Sequence, residues 1–426
     1  MQSFVIEGGR PLSGVVKAAG NKNGALPILA ASVLASEPVT LTNVPRIRDV
    51  ETMVELLVDI GADARWTGPN EVRVDSAGVH KSELDPELCR EIRASFLLAG
   101  PLLARFGRAV VPPPGGDVIG RRRLDTHIHA FAELGVEVDL NGAYEMRTAG
   151  LTGKRMYLDE ASVMGTENAI MAAVLASGET VVGHAACEPH IQDLCRFLVA
   201  LGARIEGIGS NILHITGVER LTGGEHRIGP DHVEVASFAG LAAVTGGEVT
   251  IEDVRADDLI SIVPAFRKLG IELDVGETSL RVPAGQDLHV EDDHGGQIPK
   301  IESGIWPAFP ADLTSIAVTV ATQARGTVLV FEKMFESRLF FVDKLVAMGA
   351  RIILCDPHRV VVTGPARLYA QRLESPDIRA GMAMVIAALS AEGTSTIGNI
   401  RQIDRGYERI DDRLRAIGAR IERAEL

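Results

Sequence analysis

One short pattern recurs six times along the chain and limits its possible folds more than any other feature. In each copy an apolar residue is followed by a glycine, a small residue, a charged residue and another apolar residue. The six glycines are Gly61, Gly135, Gly202, Gly270, Gly349 and Gly418. They are spaced 67 to 79 residues apart, and this period accounts for all 426 residues as six units.

Each of these glycines is predicted to end an amphipathic helix and to begin a strand. Before Gly61, the apolar residues Val50, Met53, Val54 and Leu57 are spaced as on one face of a helix. Gly61 then stands where a helix ends in a left-handed residue, and the alternation in ADARW indicates a strand. The same order of signals precedes the other five glycines.

About forty residues before each glycine lies a second helical stretch that is apolar on all sides. A helix without a polar face must be buried all round. The six stretches are Ala25–Ala35, Ala94–Ala104, Ala169–Ser177, Ala236–Thr245, Ser315–Ala324 and Ala380–Ser390. Short strands are predicted between the two helices of a unit, for example at Pro38–Leu41, Thr180–Val182 and Glu248–Ile251.

Six buried helices cannot share one axis, but three can. We therefore expect two similar lobes of three units each, with helices inside, sheets outside and a hinge near Arg227–Asp231. A solenoid is the competing architecture, but its repeats are normally about 20–50 residues long. Two lobes would offer a cleft between them, where ligands commonly bind.

Composition excludes several classes of function. A net charge of −14 argues against general binding of nucleic acid, which needs a basic surface. The apolar runs stop near a dozen residues, too short to span a membrane, and the start of the chain does not read as a signal peptide. The four cysteines are scattered and lack metal-ligand spacing, which favours reduced thiols in a soluble cytoplasmic protein without a bound metal.

The stretch Val111–His127 is predicted to be an exposed, mobile loop. It contains three prolines and the pair Gly115-Gly116, which exclude a regular helix. Asp117 lies close to three consecutive arginines, Arg121–Arg123. These residues suggest a lid over a phosphate-bearing substrate. The alternative is a solvated surface turn with unrelated charges.

Charged residues at the starts of four buried helices indicate a site for a small anion. Lys22, Arg93, Asp312 and Arg379 each stand just before or at such a start. A polar loop with a capping Asn is the simpler reading of the segment around Lys22. Two further arginines, Arg338 and Arg405, follow strands of the last two units; a surface salt bridge is their alternative role.

Eight motifs in the chain resemble those of the enolpyruvyl transferases, particularly the branch acting on UDP-N-acetylglucosamine. They are AAGNKNGALPILAA, LTNVPRIRDV, IRASFLLAGPLLARFG, PGGDVIGRR, SVMGTEN, AFPADL, VFEKMFESR and QIDRGYERI. The resemblance covers essentially the whole length, in the family's order. It implies a two-lobed inside-out α/β barrel of six repeats, with one lobe at residues 22–229. The second lobe would comprise residues 1–21 and 230–426, with the active site in the interdomain cleft.

The resemblance also implies an activity. The enolpyruvyl group of phosphoenolpyruvate would pass to the 3′-hydroxyl of UDP-N-acetylglucosamine, with release of phosphate, in the first committed step of peptidoglycan synthesis. No metal, cofactor or obligate protein partner is implied. Asp312 would take the proton of the hydroxyl group, and Asp117 would supply a proton to the methylene carbon.

The family's motifs assign binding roles residue by residue. Phosphoenolpyruvate would contact Lys22, Arg122 and Arg405, with Arg338 and Arg379 nearby. The sugar nucleotide would contact Asn23, Arg93, Arg122, Arg123, Leu124, Asp125, Thr126, Ser162, Val163, Asp312 and Met334.

This chain departs from the family's pattern at several positions. Most members carry cysteine where Asp117 stands, so the resemblance implies insensitivity to fosfomycin, an epoxide that alkylates that cysteine. Arg123, Thr126 and Glu160 replace a usual proline, leucine and lysine on the nucleotide side. Two other functions therefore remain open: a related transferase that modifies another nucleotide such as UMP, and a catalytically silent sugar-nucleotide sensor.

Overall fold

A computed structural model of the chain describes residues 2–117, 119–120 and 122–425. These residues form two compact units. Residues 20–117 and 122–229 make up one, called the N unit here, and residues 2–19, 119–120 and 230–425 make up the other, the C unit.

The described residues contain fourteen α-helices and four short 3₁₀ turns. The helices are α1 Lys22–Ala31, α2 Arg48–Asp59, α3 Pro86–Glu91, α4 Ala99–Phe106, α5 Asp125–Glu133, α6 Val163–Ala173, α7 Pro189–Ala200, α8 His232–Thr245, α9 Ile262–Lys268, α10 Thr314–Ala321, α11 Val342–Ala347, α12 Ile378–Ser390, α13 Arg401–Asp404 and α14 Ile410–Ala416. The 3₁₀ turns are Ser32–Leu34, Arg93–Leu98, Ala256–Leu259 and Ala311–Leu313.

Twenty-three strands complete the described elements. They are β1 Gln2–Glu7, β2 Gly14–Lys17, β3 Val39–Thr42, β4 Asp63–Gly68, β5 Glu71–Asp75, β6 Arg108–Val111, β7 Glu137–Leu140, β8 Tyr144–Arg147, β9 Arg155–Tyr157, β10 Glu179–Gly183, β11 Arg204–Glu206, β12 Ile212–Thr216, β13 Gly224–Arg227, β14 Val249–Glu252, β15 Asp274–Val275, β16 Ser279–Val282, β17 Lys300–Glu302, β18 Gly326–Phe331, β19 Arg351–Asp356, β20 Arg359–Gly364, β21 Arg372–Glu374, β22 Thr394–Gly398 and β23 Arg420–Glu425.

The six recurring glycines have the backbone conformation that the sequence predicts. Their φ angles are +104° at Gly61, +91° at Gly135, +107° at Gly202, +79° at Gly270, +106° at Gly349 and +100° at Gly418. Each follows an amphipathic helix (α2, α5, α7, α9, α11 or α14) and precedes a strand (β4, β7, β11, β15, β19 or β23). Because a side chain disfavours this backbone region, glycine ends each helix at little steric cost.

The six apolar stretches are buried helices, as predicted. They correspond to α1, α4, α6, α8, α10 and α12. In the C unit, α8, α10 and α12 pack against one another. In the N unit, α4 packs against α6, and α1 packs against the 3₁₀ turn Arg93–Leu98. The predicted helix Ala94–Ala104 therefore begins as this 3₁₀ turn and becomes α-helical only from Ala99.

Each unit contains three sheets in its described residues. The sheets of the N unit have the strand orders β13-β3-β5-β4, β6-β8-β7 and β9-β10-β12-β11. Those of the C unit have the orders β2-β14-β16-β15, β17-β18-β20-β19 and β21-β22-β1-β23. The predicted short strands at residues 38–41, 180–182 and 248–251 are β3, β10 and β14 within one residue at each end.

The sheets follow one plan. The strand after each buried helix pairs with an antiparallel strand on one side. Five of these strands, all but β6, also pair with a parallel strand on the other side. In the sheet β21-β22-β1-β23, β1 comes from the start of the chain and pairs antiparallel with both β22 and β23. The described strands thus form six separate sheets around buried helices, and no closed barrel is present among them.

The prediction of an exposed loop at Val111–His127 is wrong. Among its described residues only Pro113, Arg123 and Asp125 are exposed, and Ile119 is buried. The backbone is held close to a neighbouring segment, so most side chains lose part of their contact with water.

The described helices are all too short or too polar to span a membrane. All four cysteines are free thiols, as predicted.

Candidate active site

Lys22 is the first residue of α1 and is buried in an ion pair. Its Nζ lies 2.7 Å from Oδ2 of Asp49, in the first turn of α2. The preceding residue, Asn21, caps the helix by accepting a hydrogen bond from the N–H of Gly24 at 3.1 Å. The capping role proposed for this segment is therefore confirmed. The cap and the helix start also leave a lysine at the positive end of the α1 dipole.

Arg93 begins the 3₁₀ turn that leads into α4, and its side chain binds backbone. Its Nη2 donates to the carbonyl oxygens of Arg122 at 2.9 Å and Arg123 at 3.0 Å. Burial and the nearby charge of Arg122 lower the pKa of Arg93 to about 10, so it remains protonated at neutral pH.

The consecutive residues 122–126, predicted to bind the sugar nucleotide, lie at the start of α5. Arg123 is exposed and its Nε donates to Asp125 at 2.7 Å, whereas Leu124 is buried. Thr126 is buried, and its hydroxyl donates to Oδ1 of Asp159 at 2.8 Å. Thr126 therefore joins α5 to the segment before α6.

The predicted residues Ser162, Val163 and Asn23 also lie at helix starts. Ser162 caps α6 by accepting a hydrogen bond from the N–H of Gly165 at 3.2 Å, and Val163 is the first residue of that helix. Asn23 is the second residue of α1 and is half-buried. Helix starts therefore position most of the site residues predicted in the N unit.

Asp117 is a half-buried residue of the loop, directly after Gly115 and Gly116. The N–H of Gly115 donates to the carbonyl oxygen of Cys89 at 2.9 Å. Gly116 has a φ of +109°, and a Cβ there would lie 2.9 Å from the Cβ of Arg93. The loop backbone before Asp117 is thus held close to residues 89–93.

In the C unit, Asp312 lies between two buried arginines. Its Oδ1 accepts a hydrogen bond from Nη2 of Arg338 at 3.0 Å, and its Oδ2 accepts one from Nε of Arg379 at 3.2 Å. The Asp312 side chain is 29% exposed, whereas those of Arg338 and Arg379 are only 4% and 6% exposed. Two positive charges therefore surround one carboxylate that water can reach.

Arg379 is held by several neighbours. Asp377 caps α12 through the N–H groups of Arg379 and Ala380. The guanidinium lies 5.4 Å from the ring centre of Tyr407, a fully buried residue that also contacts Ser237 Oγ at 3.1 Å. Burial tends to lower the pKa of Arg379, but the combined effects of Asp312, Tyr407 and Asp231 outweigh it and raise that pKa.

Two further predicted residues of the C unit, Arg405 and Met334, have hydrogen-bond partners elsewhere in the unit. Arg405 follows α13, and its Nη1 donates to Gln402 at 2.9 Å. Met334 lies in a turn held by the buried Glu332, which accepts hydrogen bonds from the N–H of Met334 at 2.8 Å and the hydroxyl of Thr314 at 2.6 Å. Asp312, Arg338 and Arg379 are thus joined by direct hydrogen bonds.

Sequence reasoning missed the acidic and aromatic partners of the site. Asp49, Asp159 and Tyr407 each contact a predicted residue but were not predicted. Asp49 alone carries a signal, because a charged residue three and four positions before the buried Thr52 and Met53 lies on the helix face that packs inward. Asp159 and Tyr407 find their partners only through the fold. Among the described residues, no group of three His, Cys, Asp or Glu side chains could hold a metal ion.

Comparison with known proteins identifies the family. Residues 6–414 match the family EPSP synthase (3-phosphoshikimate 1-carboxyvinyltransferase). The chain is 57% identical to a UDP-N-acetylglucosamine 1-carboxyvinyltransferase of Bradyrhizobium diazoefficiens, covering 99% of this chain and 97% of that one. It is 53% identical to the protein of that name from Treponema denticola, over the full length of both.

A solved structure shows the same fold at low sequence identity. The enolpyruvyl transferase NikO from Streptomyces tendae superposes with a TM-score of 0.89, at 23% identity, over 99% of this chain and 98% of that chain. The inside-out α/β architecture predicted for the chain is therefore confirmed. By its match over nearly the entire sequence, the chain belongs to the EPSP synthase family of enolpyruvyl transferases.

Proposed function

We propose that this chain transfers the enolpyruvyl group of phosphoenolpyruvate to the 3′-hydroxyl of UDP-N-acetylglucosamine and releases phosphate. Relatives that are 50–57% identical over at least 97% of their length carry the corresponding name. The proposal places the reaction in the cytoplasm, at the first committed step of peptidoglycan synthesis, without an obligate protein partner.

The arrangement around Asp312 carries this proposal. The cluster holds two guanidiniums and one carboxylate, so its cationic charge exceeds its anionic charge. Among the described residues, Nε of Arg338 and Nη1 of Arg379 are buried without a hydrogen-bond partner. Buried donors of this kind favour an arriving anion, and phosphate or carboxylate oxygens are the acceptors that arginine binds best.

Two carboxyl groups supply the proton transfers in this proposal. Asp312 takes the proton of the 3′-hydroxyl while the oxygen of that hydroxyl bonds to C2 of phosphoenolpyruvate. Asp117, in its protonated form, gives a proton to the C3 methylene, which produces a tetrahedral intermediate. Loss of a proton from the new methyl group and cleavage of the C–O bond to phosphate then yield the enol ether and inorganic phosphate.

Cationic side chains stabilise the charges of that intermediate. In this proposal Lys22, Arg122 and Arg405 bind phosphoenolpyruvate, with Arg338 and Arg379 close by. The sugar nucleotide is bound by Asn23, Arg122, Arg123, Leu124, Asp125, Thr126, Ser162, Val163, Asp312 and Met334. The proposal thus assigns residues of the N unit and of the C unit to one reaction.

Phosphate release measured with phosphoenolpyruvate and alternative acceptors tests the function. We expect turnover with UDP-N-acetylglucosamine and at least a hundredfold lower kcat/KM with UMP. Asp312→Asn keeps the size and hydrogen-bonding oxygen of the side chain but loses the base, so we expect it to lower kcat by about 10²- to 10⁴-fold.

Two results would contradict the proposal. Preference for UMP would assign the chain to a related transferase that uses another nucleotide. Tight binding of UDP-N-acetylglucosamine in calorimetry without detectable turnover would instead identify a sugar-nucleotide sensor.

A further inference from the structure

Both ends of the loop around Asp117 are fastened to one short segment, residues 89–93. On one side of Asp117, the N–H of Gly115 donates to the carbonyl oxygen of Cys89 at 2.9 Å. On the other side, Nη2 of Arg93 donates to the carbonyl oxygens of Arg122 and Arg123, at 2.9 and 3.0 Å. All of these residues belong to the N unit.

The contact before Asp117 leaves no space for side chains. A Cβ at Gly115 would overlap the carbonyl oxygen of Arg90. A Cβ at Gly116 would lie 2.9 Å from the Cβ of Arg93, and the φ of +109° there is strained for any other residue. The two glycines therefore let the loop approach the segment that carries Arg93.

The segment itself is held firmly. Cys89 is buried in α3, and Glu91 at the end of α3 accepts hydrogen bonds from Arg48 Nη2 at 2.8 Å and Nε at 3.2 Å. Arg93 follows as the first residue of the 3₁₀ turn that runs into the buried α4. A guanidinium anchored there is a fixed point for the loop.

The bonding of Arg93 is specific for the loop backbone. A terminal guanidinium nitrogen carries two hydrogens, and Nη2 faces two carbonyl acceptors at normal hydrogen-bond length. Both hydrogens of Nη2 are therefore used by consecutive peptide groups of the loop.

We propose that Arg93 is a positioning residue, which fixes the loop end at Arg122 and Arg123 and thereby helps to place the side chains of Asp117 and Arg122 for the reaction. The importance of this placement for turnover rests on the proposed function, in which Asp117 donates a proton. The family resemblance instead places Arg93 among the contacts of the sugar nucleotide. The two roles predict different measurements.

Hydrogen–deuterium exchange of the ligand-free protein tests the positioning role directly. We expect Arg93→Ala to speed exchange of the amides in residues 112–124 by about tenfold, because a loss of about 1.4 kcal/mol changes an equilibrium by that factor. Arg93→Lys, which offers one ammonium to the same carbonyls, should show a smaller increase. Arg105→Ala is the matched control, because Arg105 also donates to a backbone carbonyl of the N unit, that of Val33 at 3.0 Å.

Kinetics and binding separate positioning from substrate contact. We expect Arg93→Ala to lower kcat by about ten- to a hundredfold, since misplacement of an acid costs that much in rate. The Kd for UDP-N-acetylglucosamine should change less than threefold. Arg93→Lys should recover part of kcat, and Arg105→Ala should leave both values unchanged.

Unchanged exchange in residues 112–124, together with a raised Kd and an unchanged kcat, would overturn the proposal and make Arg93 a ligand contact. If Arg93→Ala does not fold, Arg93→Lys decides by the same readouts. The exchange measurement needs no turnover, so an inactive wild-type protein would contradict the proposed function while the role of Arg93 would still be decided.

Discussion

Lys22 and Asp49 form a buried ion pair in the N unit. Their side chains are only 10% and 6% exposed, and the charged atoms lie 2.7 Å apart. Desolvation of both charges offsets much of their attraction, so the pair adds little net stability. Removal of one partner is a different matter, because it leaves the other charge buried without compensation.

We expect Asp49→Ala to lower the free energy of unfolding of the N unit by about 3 kcal/mol. Denaturation by urea, followed by circular dichroism, measures this loss. The matched control is Asp59→Ala. Asp59 pairs with Lys81 at a similar distance, 2.8 Å, but the two side chains are 27% and 48% exposed, respectively. An exposed pair contributes less than about 1 kcal/mol. Equal losses in the two variants would contradict the assigned burial of Lys22.

We expect Asp117 to determine the response of the protein to epoxide inhibitors. A carboxylate is a far weaker nucleophile toward an epoxide than a thiolate, so wild-type activity should persist during incubation with fosfomycin. We expect Asp117→Cys to acquire time-dependent inactivation, measured as residual phosphate release. Asp117→Asn should lose about 10²- to 10⁴-fold in kcat because it cannot donate the proton.

The exposed thiol of Cys355 is the obvious source of error in this experiment. Asp117→Cys should therefore be compared with the double variant that also carries Cys355→Ser. Inactivation of both identifies position 117 as the alkylated residue. Rapid inactivation of the wild type, or full activity of Asp117→Asn, would show that Asp117 is not the proton donor.

Helices α4, α5 and α6 meet around one buried amide, that of Asn168. Its Oδ1 accepts a hydrogen bond from the N–H of Gly100 at 2.9 Å, and its Nδ2 donates to the carbonyl of Phe96 at 2.9 Å. Nδ2 also lies 2.9 Å from Nδ1 of His127. A Cβ at Gly100 would come within 2.8 Å of the amide oxygen, so only glycine allows α4 to approach this closely.

This junction makes the stability of the N unit dependent on pH. Burial, assisted by the charge of Arg93, lowers the pKa of His127 from 6.5 to about 3. Between these values the unfolded chain binds a proton that the folded protein excludes, so stability falls as pH falls below 6.5. The full slope for one such group is about 1.4 kcal/mol per pH unit.

We therefore expect His127→Gln to flatten the pH dependence of unfolding between pH 6 and pH 4. Burial raises the pKa of Asp231 to about 6, which acts in the opposite direction, but Asp231 is unchanged in both proteins. The difference between the wild-type and variant curves isolates His127. Parallel curves over this range would contradict a neutral, buried imidazole.

Elements of this protein were predictable where the signal is local. The helix ends at the six glycines follow from neighbouring residues, because φ is set by one residue and amphipathicity by one turn. The 3₁₀ start at Arg93–Leu98 was missed, because it arises from packing against α1 and α6 rather than from the apolar pattern. The loop was wrongly predicted to be exposed, since its prolines and glycines signal irregular backbone but not what that backbone lies against.

Site residues divide in the same way. Lys22, Arg93, Asp312 and Arg379 could be predicted as candidates because they recur near the starts of buried helices. Tyr407 supports Arg379 from a distant segment, and no pattern around it indicates that contact. Tertiary packing decides which distant residues contact each other, and a single sequence does not show that packing.

The two units differ in what they need from the rest of the chain. All three sheets of the N unit are built from residues 39–227, whereas the C unit takes β1 and β2 from the start of the chain. β1 lies between β22 and β23, so its absence would leave two strands without their central partner. Without β1, the strands β22 and β23 would have unpaired backbone groups along the edges that β1 occupies, and the apolar side chains of β1 would no longer cover the core.

We expect a fragment of residues 20–229 to fold alone and a fragment of residues 230–426 not to. Rejoining residues 1–19 to the C-terminal end of the second fragment through a flexible linker should restore cooperative unfolding. Thermal unfolding followed by circular dichroism distinguishes these cases. A stably folded 230–426 fragment would show that β1 and β2 are dispensable for the C unit.

The position of β1 also has a consequence for synthesis on the ribosome. Phe4 pairs with Ile397, and the chain between them is made before this pair can form. At a synthesis rate of roughly 5–20 residues per second, β1 stays unpaired for about 20–80 seconds before its partner strand β22 has been made. The N unit emerges complete during that interval, so it can fold while β1 is still unpaired. Translation therefore sets an order of assembly in which the strand made first is among the last to be enclosed.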